Sequence, residues 1–331
     1  MDKKTFLRQR VGNMEQIAGL REVAVADGRG RDVRLVEVDN GSGLAFSVML
    51  DRCCDIYSAK FKGVNLAWLA PNGIVNPNAY EPENIMWLRS WPGGLLTTAG
   101  LLNVGGPEDG HSLHGRASHI PAEDLKLDRG WVNDEYQLSV GGTMRHTMVF
   151  GEKLEIRRQI KTAYGKNIIQ ITDRVENQGF APVPLMMLYH CNFGYPVVDE
   201  GAVLEAAEHK VTPKDAVSAA DIDSWSKLIA PVHGYAEELF FHEIPTGQDG
   251  LARMSIVNQQ LGLRVTMAYD PSTLPVLNQW KQMGEGEYVT GLEPGNCLPI
   301  GQSGNREKGM LRMIEPGEIV NFALQIEITE F

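Results

Sequence analysis

After its first thirty residues the chain keeps returning to one pattern, apolar and polar residues in alternation, and a period of two is the signature of a strand with one buried face. It recurs in KLEIRRQIKT (153–162), NIIQITDRVEN (167–177), ARMSIVNQ (252–259), LRVTMAY (263–269) and FALQIEITEF (322–331). In the first of these Leu154, Ile156 and Ile160 point one way, and Glu155, Arg157 and Gln159 the other. A sheet wet on one face and buried on the other pairs antiparallel. DVRLVEV (32–38) and LAFSVML (44–50) are β-rich as well, joined by a hairpin-like NGSG turn. Helical signals are few: a short helix within residues 3–18, weakened by Gly12, and a turn or two within 213–229. No strand–helix alternation appears, and no GxGxxG or GxxxxGK follows a strand, which argues against a nucleotide-binding α/β fold. The expectation is one all-β domain over residues 1–331, two packed sheets with residues 1–30 laid on them as an extension.

Length and charge narrow the function. All-β folds reach 331 residues as one unit, and 43% hydrophobic residues supply a sizeable core. A formal net charge of -11 argues against nucleic-acid binding, which needs a basic patch. The start MDKKTFLRQRVGNMEQ lacks the apolar stretch of a signal peptide, and no apolar run approaches the ~18 residues of a membrane span. Cys53 and Cys54 are adjacent, and with Cys191 and Cys297 they form neither a disulfide framework nor a CxxC metal motif. They read as reduced buried thiols of a cytoplasmic protein.

Residues 70–120 are rich in Gly, Pro, Asn and His and read as long functional loops. Within them Arg89 lies between two tryptophans in WLRSWPGG; aromatic faces beside polar hooks hold sugars, though Arg beside Trp is also a structural stacking pair. HSLHGRASH places His111, His114 and His119 within nine residues. Their spacing lacks the i, i+4 geometry of a helical metal motif, so His114, next to Gly115, reads as a ligand-facing imidazole. In LYHCNFGYP an apolar run ends at His190; period two puts Asn192 on its side. Alone, such a histidine is as readily a hydrogen-bonded core residue. In GLEPGN, Glu293 stands at a strand end before Pro294–Gly295, either a solvated turn carboxylate or a base in a cleft. Two imidazoles and a carboxylate brought together can move a proton off one oxygen and onto another.

These segments resemble the aldose 1-epimerase (galactose mutarotase-like) superfamily, and most closely a divergent bacterial branch of it. LDRCCDIYSAKFKGVNLAWLAP (50–71) is similar to the family's early strand pair, R-x-x-P-G-G and HGR to its sugar-binding Arg and first His, YHCNFGYP to its second His, and GLEPGN to its Glu. The resemblance runs through most of the chain in order. It implies a β-supersandwich with few short helices, Glu293 as the base at the anomeric hydroxyl and His190 as the acid at the ring oxygen. His114 and Arg89 would hold hydroxyls and steady the charge developing on the ring oxygen, and Asn192, on the side of His190, is a further candidate binding residue. The family's binding Asp has no clear counterpart; Asp270 or the NQWK segment (Asn278, Gln279, Trp280, Lys281) stands in for it. No cofactor and no metal are implied, and the partner is a small-molecule carbohydrate, with no nucleic acid and no membrane expected and a homodimer as the candidate assembly. Other readings on the same scaffold are another cofactor-free carbohydrate isomerase or lyase, a non-catalytic sugar-binding protein, or a metal-dependent isomerase using the three histidines.

Overall fold

The computed structural model describes residues 2–108 and 110–331. Where the sequence alternates, the backbone pairs: all named strand pairs are antiparallel. The alternating runs at Lys153–Ala163, Ile168–Asn177, Ala252–Asn258, Leu263–Tyr269 and Ile319–Glu330 all join one eight-stranded sheet. A six-stranded sheet packs behind it, in the order Lys210–Pro213, Glu238–Glu243, Val276–Gly284, Glu287–Gly295, Met186–Gly194, Thr97–Leu101. A five-stranded sheet holds the expected hairpin, Arg34–Asp39 and Leu44–Met49. This is an all-β galactose mutarotase-like sandwich with few helices. Two of the three α-helices among the described residues, Lys3–Arg8 and Ala216–Ala220, fall where the sequence suggested helical turns.

The first thirty residues are more than a covering. Gly19–Ala24 pairs along its whole length with Arg34–Asp39 as the edge of the five-stranded sheet. Among the described residues no helix is long and apolar enough to cross a membrane. All four cysteines are free and buried.

One inward position on the alternating strand Lys153–Ala163 carries a charge. Leu154, Ile156 and Ile160 are buried, and so is Arg158, on the same face between them. Its Nε and Nη2 donate to Asp173 at 2.9 and 2.6 Å. Its Nη1 donates to Asp55 at 2.8 Å, Thr98 Oγ1 at 2.8 Å and the Cys53 carbonyl at 3.0 Å. Burial alone would pull the guanidinium down, but Asp173 and Asp55 outweigh it and hold Arg158 well above its ordinary range. The partners come from the eight-, five- and six-stranded sheets, so one cation ties the three together. Tyr189 adds a further tie, its hydroxyl donating to Asp173 at 2.7 Å.

This back-to-back packing turns the other face of the six-stranded sheet toward the loops. Tyr189 and Cys191 point into the sandwich, and by alternation His190 and Asn192 point out. The strand register puts Asn192 beside Gly291, and Gly291 beside Trp280. The candidate site is built on that face.

Candidate functional site

His190, Glu293 and Trp280 come from three neighbouring strands of the six-stranded sheet. Loops fold over them to close a cavity of about 350 Å³, lined also by Trp87, Trp91 and His114. That volume is ordinary for a small-molecule site. Four of the chain's six tryptophans cluster here: Trp91 lies 5.2 Å from Trp68, 5.1 Å from Trp87 and 5.8 Å from Trp280, centroid to centroid. His190 sits edge-on to Trp91 at 5.2 Å and to Trp280 at 5.6 Å. The result is an aromatic wall around a few titratable groups.

Nδ1 of His190 lies 3.2 Å from Oε1 of Glu293, with both side chains almost fully buried. Neither atom makes a well-aligned hydrogen bond to any described residue. Burial pushes the Glu293 carboxyl well up, aided by the negative charge of Glu237. Burial likewise pushes His190 well down, with His114 contributing. Each group alone therefore prefers its neutral form, which leaves one titratable proton for the two to share.

His114 stands across from them, its ring 5.5 Å from that of His190. Its Nδ1 accepts the Gly105 N–H at 3.3 Å, which leaves the ring hydrogen on Nε2 as a donor. Burial, then the charge of Lys214, lowers it to about 4, so it is a neutral donor at physiological pH. The residue takes a left-handed backbone (φ 56°). It is held there by the Gly100 N–H donating to its carbonyl and its own N–H donating to Gly105, both at 2.9 Å. Gly115 follows at φ 69°, where a Cβ would meet the Gly100 carbonyl at 2.4 Å, so that close approach requires the glycine.

Several expected site residues lie elsewhere. Arg89 ends a 3₁₀ turn, Met86–Arg89, which buries Trp87 and turns Arg89 outward; its side chain is 66% exposed, 4.0 Å from Glu81. Lys281 is adjacent to Trp280 in a strand and so faces the other way, paired with buried Glu238 at 3.1 Å. Asp270 turns back on itself, accepting hydrogen bonds from Ser272 N–H and Oγ. Asn192 and Asn278 are fully buried under the cavity floor rather than on its wall. Asn192 Nδ2 donates to the Gly94 and His190 carbonyls, and Asn278 Nδ2 donates to the Glu293 and Cys297 carbonyls. Both asparagines fix the strands that carry His190 and Glu293.

The three clustered histidines separate. His119 packs on Tyr80 and meets Arg52 Nη2 at 3.0 Å and Ser90 Oγ at 2.8 Å, while His111 lines a small hollow beside Arg116 and His146. Only His114 reaches the cavity. Two rim charges went unread in the sequence: Lys214, and Glu237, whose Oε2 accepts the Trp280 indole N–H at 3.0 Å. Both are exposed loop residues in PKDA and YAEE, segments that look like ordinary surface. A larger hollow of about 600 Å³ lies on the five-stranded sheet among Arg21, Glu37, Tyr57 and Lys60, with no facing imidazole and carboxylate.

Solved structures share this architecture. A protein described as a "putative aldose 1-epimerase" from Klebsiella pneumoniae subsp. pneumoniae MGH 78578 superposes with a TM-score of 0.89 at 20% identity, over 96% of this chain and 86% of that one. A galactose mutarotase-like protein from Clostridium acetobutylicum gives 0.64 at 14% identity, over 96% and 100% of the two chains. A galactose 1-epimerase from Lactobacillus acidophilus NCFM gives 0.60 at 11%, over 95% and 99%. At such identities the likeness establishes the fold. Among curated proteins, none matches the sequence. The family model described as "Domain of unknown function (DUF4432)" matches residues 30–328, and the chain belongs to that family.

Proposed function

We propose that the protein is an aldose 1-epimerase-like isomerase that exchanges the α and β anomers of a reducing sugar by opening and closing its ring. The observation that carries the reading is the buried His190–Glu293 contact at 3.2 Å, unsatisfied by any described residue, on the wall of a tryptophan-lined cavity. A pyranose presents a C–H face suited to the indoles and hydroxyls suited to the polar groups.

Ring opening needs one proton removed from the C1 hydroxyl and one delivered to the ring oxygen. A pair holding a single proton supplies one acceptor and one donor at once. Once the shared proton passes from Glu293 to His190, Glu293 takes the hydroxyl proton and His190 protonates the ring oxygen. The C1–O5 bond breaks and the open aldehyde forms. Rotation about C1–C2 and reversal of the two transfers closes the other anomer and restores the starting protonation. The Nε2–H of His114 donates to a sugar oxygen and stabilises charge growing there. Asn192 and Asn278 act through the backbone they hold.

The test is saturation-transfer NMR between α and β anomeric protons for a panel of reducing sugars. Exchange faster than the spontaneous rate for at least one sugar supports the reading. A new keto sugar or an unsaturated product would replace it with a different isomerase or lyase, and binding without any rate effect would replace it with a sugar-binding role.

A further inference from the structure

Gly291 sits in the middle of the site floor, in register with Asn192 on one side and Trp280 on the other. It lies two residues before Glu293 on the strand Glu287–Gly295, so the two share a face. A Cβ placed on Gly291 would lie 2.4 Å from Oε1 of Glu293 and 3.2 Å from both its Cδ and the Trp280 Cβ. The carboxylate therefore folds back along its own strand and occupies the space a side chain at 291 would fill. The same Oε1 is the atom 3.2 Å from His190. The backbone at 291 is outside the left-handed region, so glycine is not needed there for conformation.

We propose that Gly291 is a positioning residue: by carrying no side chain it lets the Glu293 carboxylate lie back over the strand and reach His190. The proposal rests on the reading of Glu293 and His190 as the acid–base pair. A methyl at 291 meets the far end of a flexible side chain, which can swing aside while the strand stays paired. The expected variant is folded but disarmed, because the carboxylate is displaced from its partner.

The experiment uses Gly291→Ala, Glu293→Gln and the double variant, followed by thermal unfolding, anomeric exchange and the ¹⁵N resonances of the His190 ring. Gly291→Ala is expected to melt near the wild type and to move the His190 Nδ1 resonance toward its position in Glu293→Gln. Its kcat should fall at least tenfold, with KM changed far less. In the Glu293→Gln background it should lower exchange no further. Wild-type His190 resonances and an unchanged kcat in folded Gly291→Ala would overturn the proposal. If no sugar exchanges faster with the wild type, the functional reading fails, and the His190 resonances still decide whether Gly291 positions Glu293. If Gly291→Ala does not fold, Gly291→Ala/Glu293→Ala removes the clashing carboxylate: recovery of folding supports the assignment, and continued misfolding overturns it.

Discussion

Two buried clusters of ionisable groups lie on opposite faces of the same strand, a residue apart, and they are finished differently. Behind the sheet, Tyr189 joins Arg158, Asp55 and Asp173, where every guanidinium nitrogen has a partner between 2.6 and 3.0 Å. In front, His190 and Glu293 face each other with Nδ1 and Oε1 both lacking a well-aligned partner. Burying a charge is costly unless its hydrogen-bonding capacity is filled. The rear cluster meets that demand, with Arg158 held well above its ordinary range, so it serves the fold. The front pair gives up its charges instead and keeps its bonding capacity open, the state in which a proton can be passed to a bound oxygen.

The comparison breaks most visibly at Arg158. Arg158→Met leaves two carboxylates buried without their cation and should cost about 3–5 kcal/mol, read as a large drop in the denaturation midpoint or loss of soluble protein. A loss under about 1 kcal/mol would show that the rear cluster does not hold the sheets. Next in size is His190→Ala, which removes a transfer partner without unpairing a charge. Anomeric exchange should fall by roughly 10²–10⁴ while the unfolding midpoint moves little. His114→Asn loses the imidazole donor and should slow exchange by about tenfold to a hundredfold, the range for one hydrogen bond to a developing charge.

A pH effect on stability comes below these. Burial holds His114 at about 4, and His146 and His242 at about 3. In the unfolded chain each titrates near ~6.5, so between those values the unfolded state binds protons that the folded state refuses. Stability from these groups is complete above about pH 6.5 and is lost as pH falls toward 4 and then 3, by at most about 1.4 kcal/mol per pH unit for each. Glu293, raised by burial, acts in the opposite sense and disfavours folding at neutral pH. Urea denaturation at pH 7.5, 5.5 and 4.5 measures the balance, and a flat profile would contradict the assignment of neutral buried histidines. The smallest effect is expected at Arg89: Arg89→Ala should change stability by less than about 0.5 kcal/mol and leave exchange intact.

The fold was legible where alternation is strong, because burying one face of a strand is what writes a period of two into the chain. His114, His190 and Glu293 were legible because each breaks an apolar or Gly/Pro-rich setting where a polar residue is costly. Two of the misplacements share one cause. Trp280 and Lys281 are neighbours, and period two allows only one of them into the cavity. Which one depends on the register that sets Trp280 beside Gly291, a long-range pairing that local sequence does not carry. Arg89 failed in the same way, on the phase of a single 3₁₀ turn. Arg158 was the converse case, an inward position whose charge only the meeting of three sheets explains. Glu237 and Lys214 reach the rim from exposed loops, with no local pattern to mark them.

Whether His190 and Glu293 carry the proton transfers is decided by Glu293→Gln. The measurement is anomeric exchange by saturation-transfer NMR on a sugar the wild type accelerates, with thermal unfolding on the same sample. Exchange should fall to the spontaneous rate while the unfolding midpoint stays level or rises, since a neutral amide replaces a carboxyl that burial disfavours when charged. Acceleration retained in a folded Glu293→Gln protein would contradict it.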